Sequence, residues 1–250
     1  MKEIIKRILQ TTLGFKNYLF FFSIFTILTL RWKRKERDFL YFIQMIPDDG
    51  IVLDIGANIG IMTVHLARKL SKSKIISFEP VPCNLIALKK IISFFYLKNI
   101  EVIETALGNQ NGQTKMVLPI INSVKMQGLS HVVHQKITEF NHGEIFNVPV
   151  QTLDSFAEKK SLEKINAIKI DVENFEYFVF EGGKNLIETH HPLIYCELWD
   201  NENRQKCFTF LENLNYTINI ISNKKLEIYN PEIHQTQNFF FIHNESRIKK

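Results

Sequence analysis

The first long apolar run, Tyr18 to Leu30, holds 13 residues without a charge and lies between two basic clusters. Glu36 to Ile46 follows with Phe39, Leu40, Phe42, Ile43 and Ile46 near helical spacing, and Pro47-Asp48-Asp49-Gly50 ends it. From there, short β-favouring runs alternate with stretches of helical period. Ile51 to Ile55, Lys74 to Phe78, Asn99 to Thr105, Ile165 to Ile170 and Pro192 to Glu197 read as strands. Ile61 to Leu70, Val81 to Phe95, Phe175 to Thr189 and Glu202 to Leu214 read as helices. Gln113 to Leu118 and Asn147 to Leu153 are shorter strand candidates, with Asp154 and Ser155 suited to a helix start. Pro119 to Asn147 keeps no period and is expected to be an irregular insert, which in a compact domain more often serves as a lid than as a linker. Tyr216 to Ser222 and Gln237 to His243 close the chain as an antiparallel pair with a short polar connection.

Strands alternating with helices of ten or more residues predict an α/β fold, a parallel sheet with right-handed crossovers that the closing hairpin makes mixed. The expected organisation is an N-terminal helical segment, 1–46, and one domain, 47–250, carrying the insert at about 119–147.

Composition narrows this picture in three places. Cys83, Cys196 and Cys207 are odd in number and far apart, so they form neither a zinc spacing nor a disulfide framework, and a reducing cytoplasm is expected. The net charge of +5 favours anionic surfaces or substrates, and no nucleic-acid partner is expected. Much of that charge sits at Lys2, Lys6, Arg7, Arg31, Lys33, Arg34, Lys35 and Arg37, around the apolar run. A spanning helix needs about 20 apolar residues, and Leu30-Arg31-Trp32-Lys33 offers no small-residue cleavage site. Three readings stay open. The segment lies on a membrane through residues 15–32 at its inner face, packs against the main domain, or spans.

The candidate chemistry gathers at strand ends. Asp54-Ile55-Gly56-Ala57-Asn58-Ile59-Gly60 joins a strand to a helix through a glycine loop, a place to bind a nucleotide-like ligand. Gly56 and Gly60 can take positive φ, and Asp54 can anchor the loop or reach a charged ligand. Asn58 stands where the dinucleotide fingerprint would have a second glycine. Asp54, Glu79 and Asp171 end three strands at the edge where open α/β sheets bind ligands. Glu79, 25 positions beyond Asp54, is placed to accept two hydrogen bonds from a ribose diol. These features suit an adenosine-bearing ligand. The single loop lacks a backbone nest for a pyrophosphate, and Tyr177 is followed four residues later by Glu181 rather than the lysine of a short-chain dehydrogenase.

Five segments together carry a family resemblance. They are Val52 to Gly60; Phe78-Glu79-Pro80-Val81-Pro82-Cys83-Asn84; Ala106-Leu107-Gly108 with Gly112; Val148 to Asp154; and Ile168-Lys169-Ile170-Asp171-Val172-Glu173. Over roughly Pro47 to Glu197 the chain resembles the FkbM-type S-adenosylmethionine-dependent methyltransferases. The resemblance implies a class I, Rossmann-like sheet of seven mostly parallel strands with an antiparallel last strand, and S-adenosyl-L-methionine as cofactor. It implies that Gly56, Asn58 and Gly60 line the methionine and ribose side, that Glu79 holds the ribose hydroxyls, and that residues 104–107, Ala106 among them, lie near the adenine. Asp171 would face both the methionine end and the methyl acceptor, a hydroxyl of a small molecule or glycan.

Asp171 is then the candidate base, with Glu173 and Glu176 as neighbours able to share its task or hold a metal. Asn174 stands where such proteins usually carry glycine; asparagine is the residue that best tolerates the left-handed turn in its place. His131 and His134 are three apart without helical surroundings or a spaced third ligand, so no metal site is assigned. The alternative function is a ligand- or partner-binding protein that keeps the fold without catalysis.

Overall fold

The computed structural model describes residues 2–33, 36–135, 137 and 139–249; Arg34 and Lys35 of the basic group lie outside the described residues, as do the side chains of Lys2 and Glu3. Three helices lead, α1 (Lys2–Leu13), α2 (Phe15–Thr29) and α3 (Arg37–Met45). The strands β1 (Ile51–Ile55), β2 (Lys74–Phe78) and β3 (Ile100–Ile103) follow, joined by α4 (Ile61–Lys69) and α5 (Pro82–Phe94). A smaller β region then runs through β4 (Ala106–Leu107), β5 (Gly112–Ile121), β6 (Val124–Lys125), β7 (His131–Val132) and β8 (Gly143–Gln151). The second half holds α6 (Leu153–Lys160), β9 (Ile165–Ile170), α7 (Glu176–Glu181), α8 (Lys184–His190) and β10 (Leu193–Glu197). It ends with α9 (Glu202–Glu212), β11 (Tyr216–Ser222), β12 (Lys225–Ile228) and β13 (Asn238–His243).

The main sheet has the order β12-β11-β13-β10-β9-β1-β2-β3. β3, β2, β1, β9 and β10 pair in parallel, and β13 runs antiparallel between β10 and β11. This is the expected mixed sheet of seven strands, widened by an eighth. Residues alternate between its faces, so one strand feeds two cores. Leu53, Ile55, Ile168 and Ile170 pack with α7 and α9, while Val52, Ile75, Ala167 and Tyr195 pack with Phe39 and Phe42 of α3 and Leu66 of α4. A sheet covered on both faces reads as near-continuous apolar runs, and every residue of β9 is buried.

Three details differ from expectation. The closing connection holds a strand of its own, β12: Asn223 and Lys224 both take positive φ, 49° and 64°, in the turn that folds it back onto β11. The helix expected over 175–189 is broken at Gly182-Gly183, where a Cβ on Gly182 would lie 2.0 Å from the Gly108 carbonyl oxygen. α8 restarts with Asp154 accepting from the Asn185 and Leu186 amides. The insert at 119–147 is less irregular than expected, because β5 and β8 form a long antiparallel ribbon from Gly112↔Val150 to Pro119↔Gly143. Its partner strands lie some thirty residues apart, beyond what a local pattern records.

Finally, α2 packs on the domain by one stripe only. Leu19, Ser23, Thr26 and Ile27 are buried, while Phe21, Phe25 and Leu28 face outward. No helix among the described residues is long and apolar enough to cross a membrane.

Candidate active site

β1 delivers the chain to a tight loop at the carboxyl edge of the sheet. Gly56 (φ 76°) and Ala57 both donate their amides to the Phe78 carbonyl, and Asn58 (φ 51°) and Gly60 (φ 84°) carry the turn into α4. A Cβ on Gly56 would sit 1.9 Å from the Asp171 carbonyl oxygen, so both its φ and the approach of β9 require glycine. The Asn58 amide donates to Glu79 Oε2 at 2.8 Å, and its side-chain amide donates to the Gln127 carbonyl at 3.1 Å. From behind, the buried Ser23 hydroxyl of α2 donates to the Ile59 carbonyl at 2.8 Å.

Glu79 sits at the end of β2, 4% exposed. Its Oε1 accepts from the Val81 amide at 2.8 Å and from Asn84 at 3.3 Å. Burial pushes its carboxyl up to about 7, against these hydrogen bonds, which favour the anion. Among the described residues Oε2 takes a single protein hydrogen bond and keeps capacity for a hydroxyl.

A buried charge pair lies under the loop. Lys169 Nζ donates to the Gly56 carbonyl at 2.9 Å and the Ile55 carbonyl at 3.3 Å, and lies 3.4 Å from Asp54 Oδ1. The Thr63 hydroxyl donates to Asp54 Oδ2 at 2.6 Å. Burial pulls the Lys169 ammonium down, but Asp54 and Asp171 outweigh it and leave it raised, hence charged.

On the other side of the loop, β9 ends in Asp171. The turn that follows is left-handed twice over, at Glu173 (φ 54°) and Asn174 (φ 71°), the second as expected for asparagine. Glu176, at the start of α7, fixes it: its carboxylate accepts from the Val172 amide at 3.1 Å and from Asn203 at 2.7 Å. Asn201 in turn donates to Asn174 Oδ1 at 2.7 Å. Burial pushes Glu176 up to about 7. Glu173 is pushed well up, by burial first and then by Asp171, Glu176 and Glu197; burial and Asp171 raise Glu197 as well.

One cavity brings most of the expected residues together. Gly56, Asn58, Glu79, Ala106, Asp171 and Glu173 line it, and so do Ile55, Phe78, Asn84, Thr105, Leu107, Gln127, Ser130 and Phe175. Asp54 and Gly60 do not line it: Asp54 is turned inward to Lys169 and Thr63, and Gly60 packs against Leu88. Glu104 faces solvent in an ion pair with Lys89, leaving 105–107 at the wall. Asn58 Oδ1, Ser130 Oγ and Glu173 Oε2 are buried wall atoms without a hydrogen-bond partner among the described residues. A ligand rich in hydroxyl and amine donors and acceptors would satisfy them.

Beyond the Glu173-Asn174 turn, a second groove is lined by Glu139, Asn174, Tyr177, Phe178, Trp199, Asn201 and Asn203. His134 closes on this region, 4.8 Å from the Phe178 ring, whereas His131 is buried and bonded to the Leu129 carbonyl and Asn141. Sequence reasoning gave no role to Lys169, Asn84 or Gln127. Lys169 and Asn84 stood within the segments that carry the resemblance, and Lys169 also stands out as a lysine between isoleucines of an otherwise mostly apolar strand; Gln127 carried no signal.

The family profile described as the methyltransferase FkbM domain matches residues 54–235. Methyltransferase 1 of Beauveria bassiana (strain ARSEF 2860) is 25% identical over 171 residues, 63% of this chain and 66% of that one. The 2-O-methyltransferase NoeI of Sinorhizobium fredii (strain NBRC 101917 / NGR234) is 26% identical over 164 residues, 62% of this chain and 65% of that one. The crystal structure of methyltransferase FkbM from Methylobacillus flagellatus KT superposes with a TM-score of 0.51 at 15% identity, covering 78% of this chain and 44% of that one. The chain thus spans about two thirds of the length of these two sequence relatives and under half of the structural one.

Proposed function

The chain belongs to the FkbM methyltransferase family, and from that premise we propose that it moves a methyl group from S-adenosyl-L-methionine to a hydroxyl of a small molecule or glycan. One observation carries the reading. A single cavity has Glu79 at one wall, with acceptor capacity left on Oε2 for a ribose hydroxyl, and Asp171 and Glu173 at another.

S-adenosylmethionine, when bound, supplies an activated methyl group on a sulfonium leaving group, so the protein's share is positioning and proton removal. In this reading Glu79 and the Asn58 loop hold the ribose side, and Thr105 to Leu107 border the adenine. Asp54 and Gly60 act from behind the wall, through Lys169 and through the turn into α4. Asp171 accepts the acceptor's hydroxyl proton. Glu173, whose carboxyl is pushed up by its surroundings, holds a proton beside it and keeps the cluster from accumulating charge. The second groove offers aromatic faces and side-chain amides to a hydroxyl-bearing acceptor. The similarity to a 2-O-methyltransferase supports oxygen as the accepting atom.

The test is Asp171→Asn. Turnover should fall about 10²–10⁴-fold, the usual share of a general base, while S-adenosylmethionine binding stays within a few-fold. Near-normal turnover would discard Asp171 as base. Binding without transfer to any acceptor in a cell extract would favour the non-catalytic alternative.

A further inference from the structure

α1 stands on the domain the wrong way round for a helix in water. Ile4, Ile5, Ile8 and Leu9 occupy one side of it and all are exposed, Ile4 at 63%. Its polar edge is the one that touches protein: Gln10 exchanges two hydrogen bonds with the Lys125 backbone of β6, each 3.0 Å. The outer stripe of α2 continues the pattern. Phe21, Phe25, Leu28 and then Trp32 recur at helical spacing, Phe25 at 64% and Trp32 at 66% exposed. Single exposed apolar residues are ordinary, but exposed apolar residues that recur along one face of a helix mark a docking surface.

Charge says what docks. Residues 1–37 hold nine basic and two acidic residues, a net charge of +7, so the remaining chain is net −2. Arg7, Lys16, Arg31 and Arg37, in the same stretch of chain, are exposed. The Arg31 guanidinium lies 4.4 Å over the Trp32 ring, an aromatic and cationic pair of the kind that sits at a headgroup boundary. Apolar faces rimmed by cations match a surface that is anionic at the headgroup and apolar beneath it.

We propose that α1, the outer face of α2 and Trp32 dock this protein on an anionic lipid bilayer, lying in the interface and not crossing it. The helices are not a loose tail. Ser23 joins α2 to the glycine loop and Lys125 joins α1 to the hairpin leading to Gln127, so docking holds the cavity wall at a fixed attitude to the bilayer.

The full chain is tested by flotation with vesicles of phosphatidylcholine alone and of phosphatidylcholine with phosphatidylglycerol. Binding to the anionic vesicles should be at least tenfold tighter and should weaken as salt rises from 0.05 to 0.5 M. Trp32 emission should shift to the blue on binding, and Trp32→Phe should lose the shift. Phe25→Ser with Trp32→Ser, both solvent-facing and so folding normally, should weaken anionic-vesicle binding at least tenfold; Arg7→Glu with Arg31→Glu should abolish the lipid preference. Absence of vesicle binding in 0.05 M salt overturns the proposal. So does a self-associated species in sedimentation velocity that Phe25→Ser/Trp32→Ser abolishes, which would make the patch an interface between copies of the chain.

Discussion

Replacing Lys169 by methionine keeps the stem of the side chain and removes its charge, and the structure fixes what that costs. Lys169 is 2% and Asp54 0% exposed, and the ammonium also holds two carbonyls of the glycine loop. Without it the Asp54 carboxylate is left in the core with, among the described residues, the Thr63 hydroxyl as its one side-chain donor. Breaking a buried ion pair by removing one partner costs about 3–5 kcal/mol, a large part of a typical total stability of about 5–15 kcal/mol. For a chain of this size that lowers Tm by roughly 6–20 °C, at about 2–4 °C per kcal/mol. Removing the second charge as well, in Lys169→Met/Asp54→Asn, should restore most of the loss, because neutral replacements of a buried pair are often close to neutral in stability. Cofactor affinity should stay weakened in both variants, since the carbonyls of Ile55 and Gly56 lose their donor in both. Calorimetric Tm values and titrations with S-adenosylmethionine measure the two effects separately. A fall below 2 °C in the single variant, or a double variant no more stable than the single, would refute the assignment of Lys169 as the charged clamp under the loop.

Gly56→Ala should cost at least 2 kcal/mol or abolish cofactor binding, because its Cβ would meet the Asp171 carbonyl and its φ is positive; denaturant unfolding and titration check it. Glu79 and Glu176 each rise from 4.5 to about 7 on folding, so each contributes stability that is full below 4.5 and is lost as pH climbs to about 7. The share from Glu79 is on the order of 3 kcal/mol. It should appear as a fall in Tm of the unliganded protein between pH 5 and 7 that is shallower in Glu79→Gln. Cofactor affinity should move the opposite way, rising through pH 7 as Glu79 becomes the anion that accepts hydroxyl donors, with proton release on binding below pH 7 and no such release in Glu79→Gln.

The main sheet was legible because its parallel strands are mostly apolar runs, broken by single polar residues and closed by an acid or a glycine. The loop and three of its acids were legible for the same reason: a strand end fixes which edge they share. Asp54 lies one residue inside the end of β1, and nothing in the sequence told whether its carboxylate pointed to a ligand or down to Lys169, which lies 115 residues away. The β5–β8 ribbon was hidden because its pairing is non-local and its strands are half-exposed. The break at Gly182 depends on a backbone approach by Gly108, a contact no local pattern encodes. The Tyr18–Leu30 run named an apolar helix but not which of its faces would be covered.

Calorimetric titration of the full chain with S-adenosyl-L-methionine, run beside NAD, tests the central claim most directly. The account predicts saturable binding of one S-adenosylmethionine per chain, roughly in the 1 μM–1 mM range of enzyme ligands, with no heat from NAD. Absence of S-adenosylmethionine binding, or saturable binding of NAD instead, would contradict it.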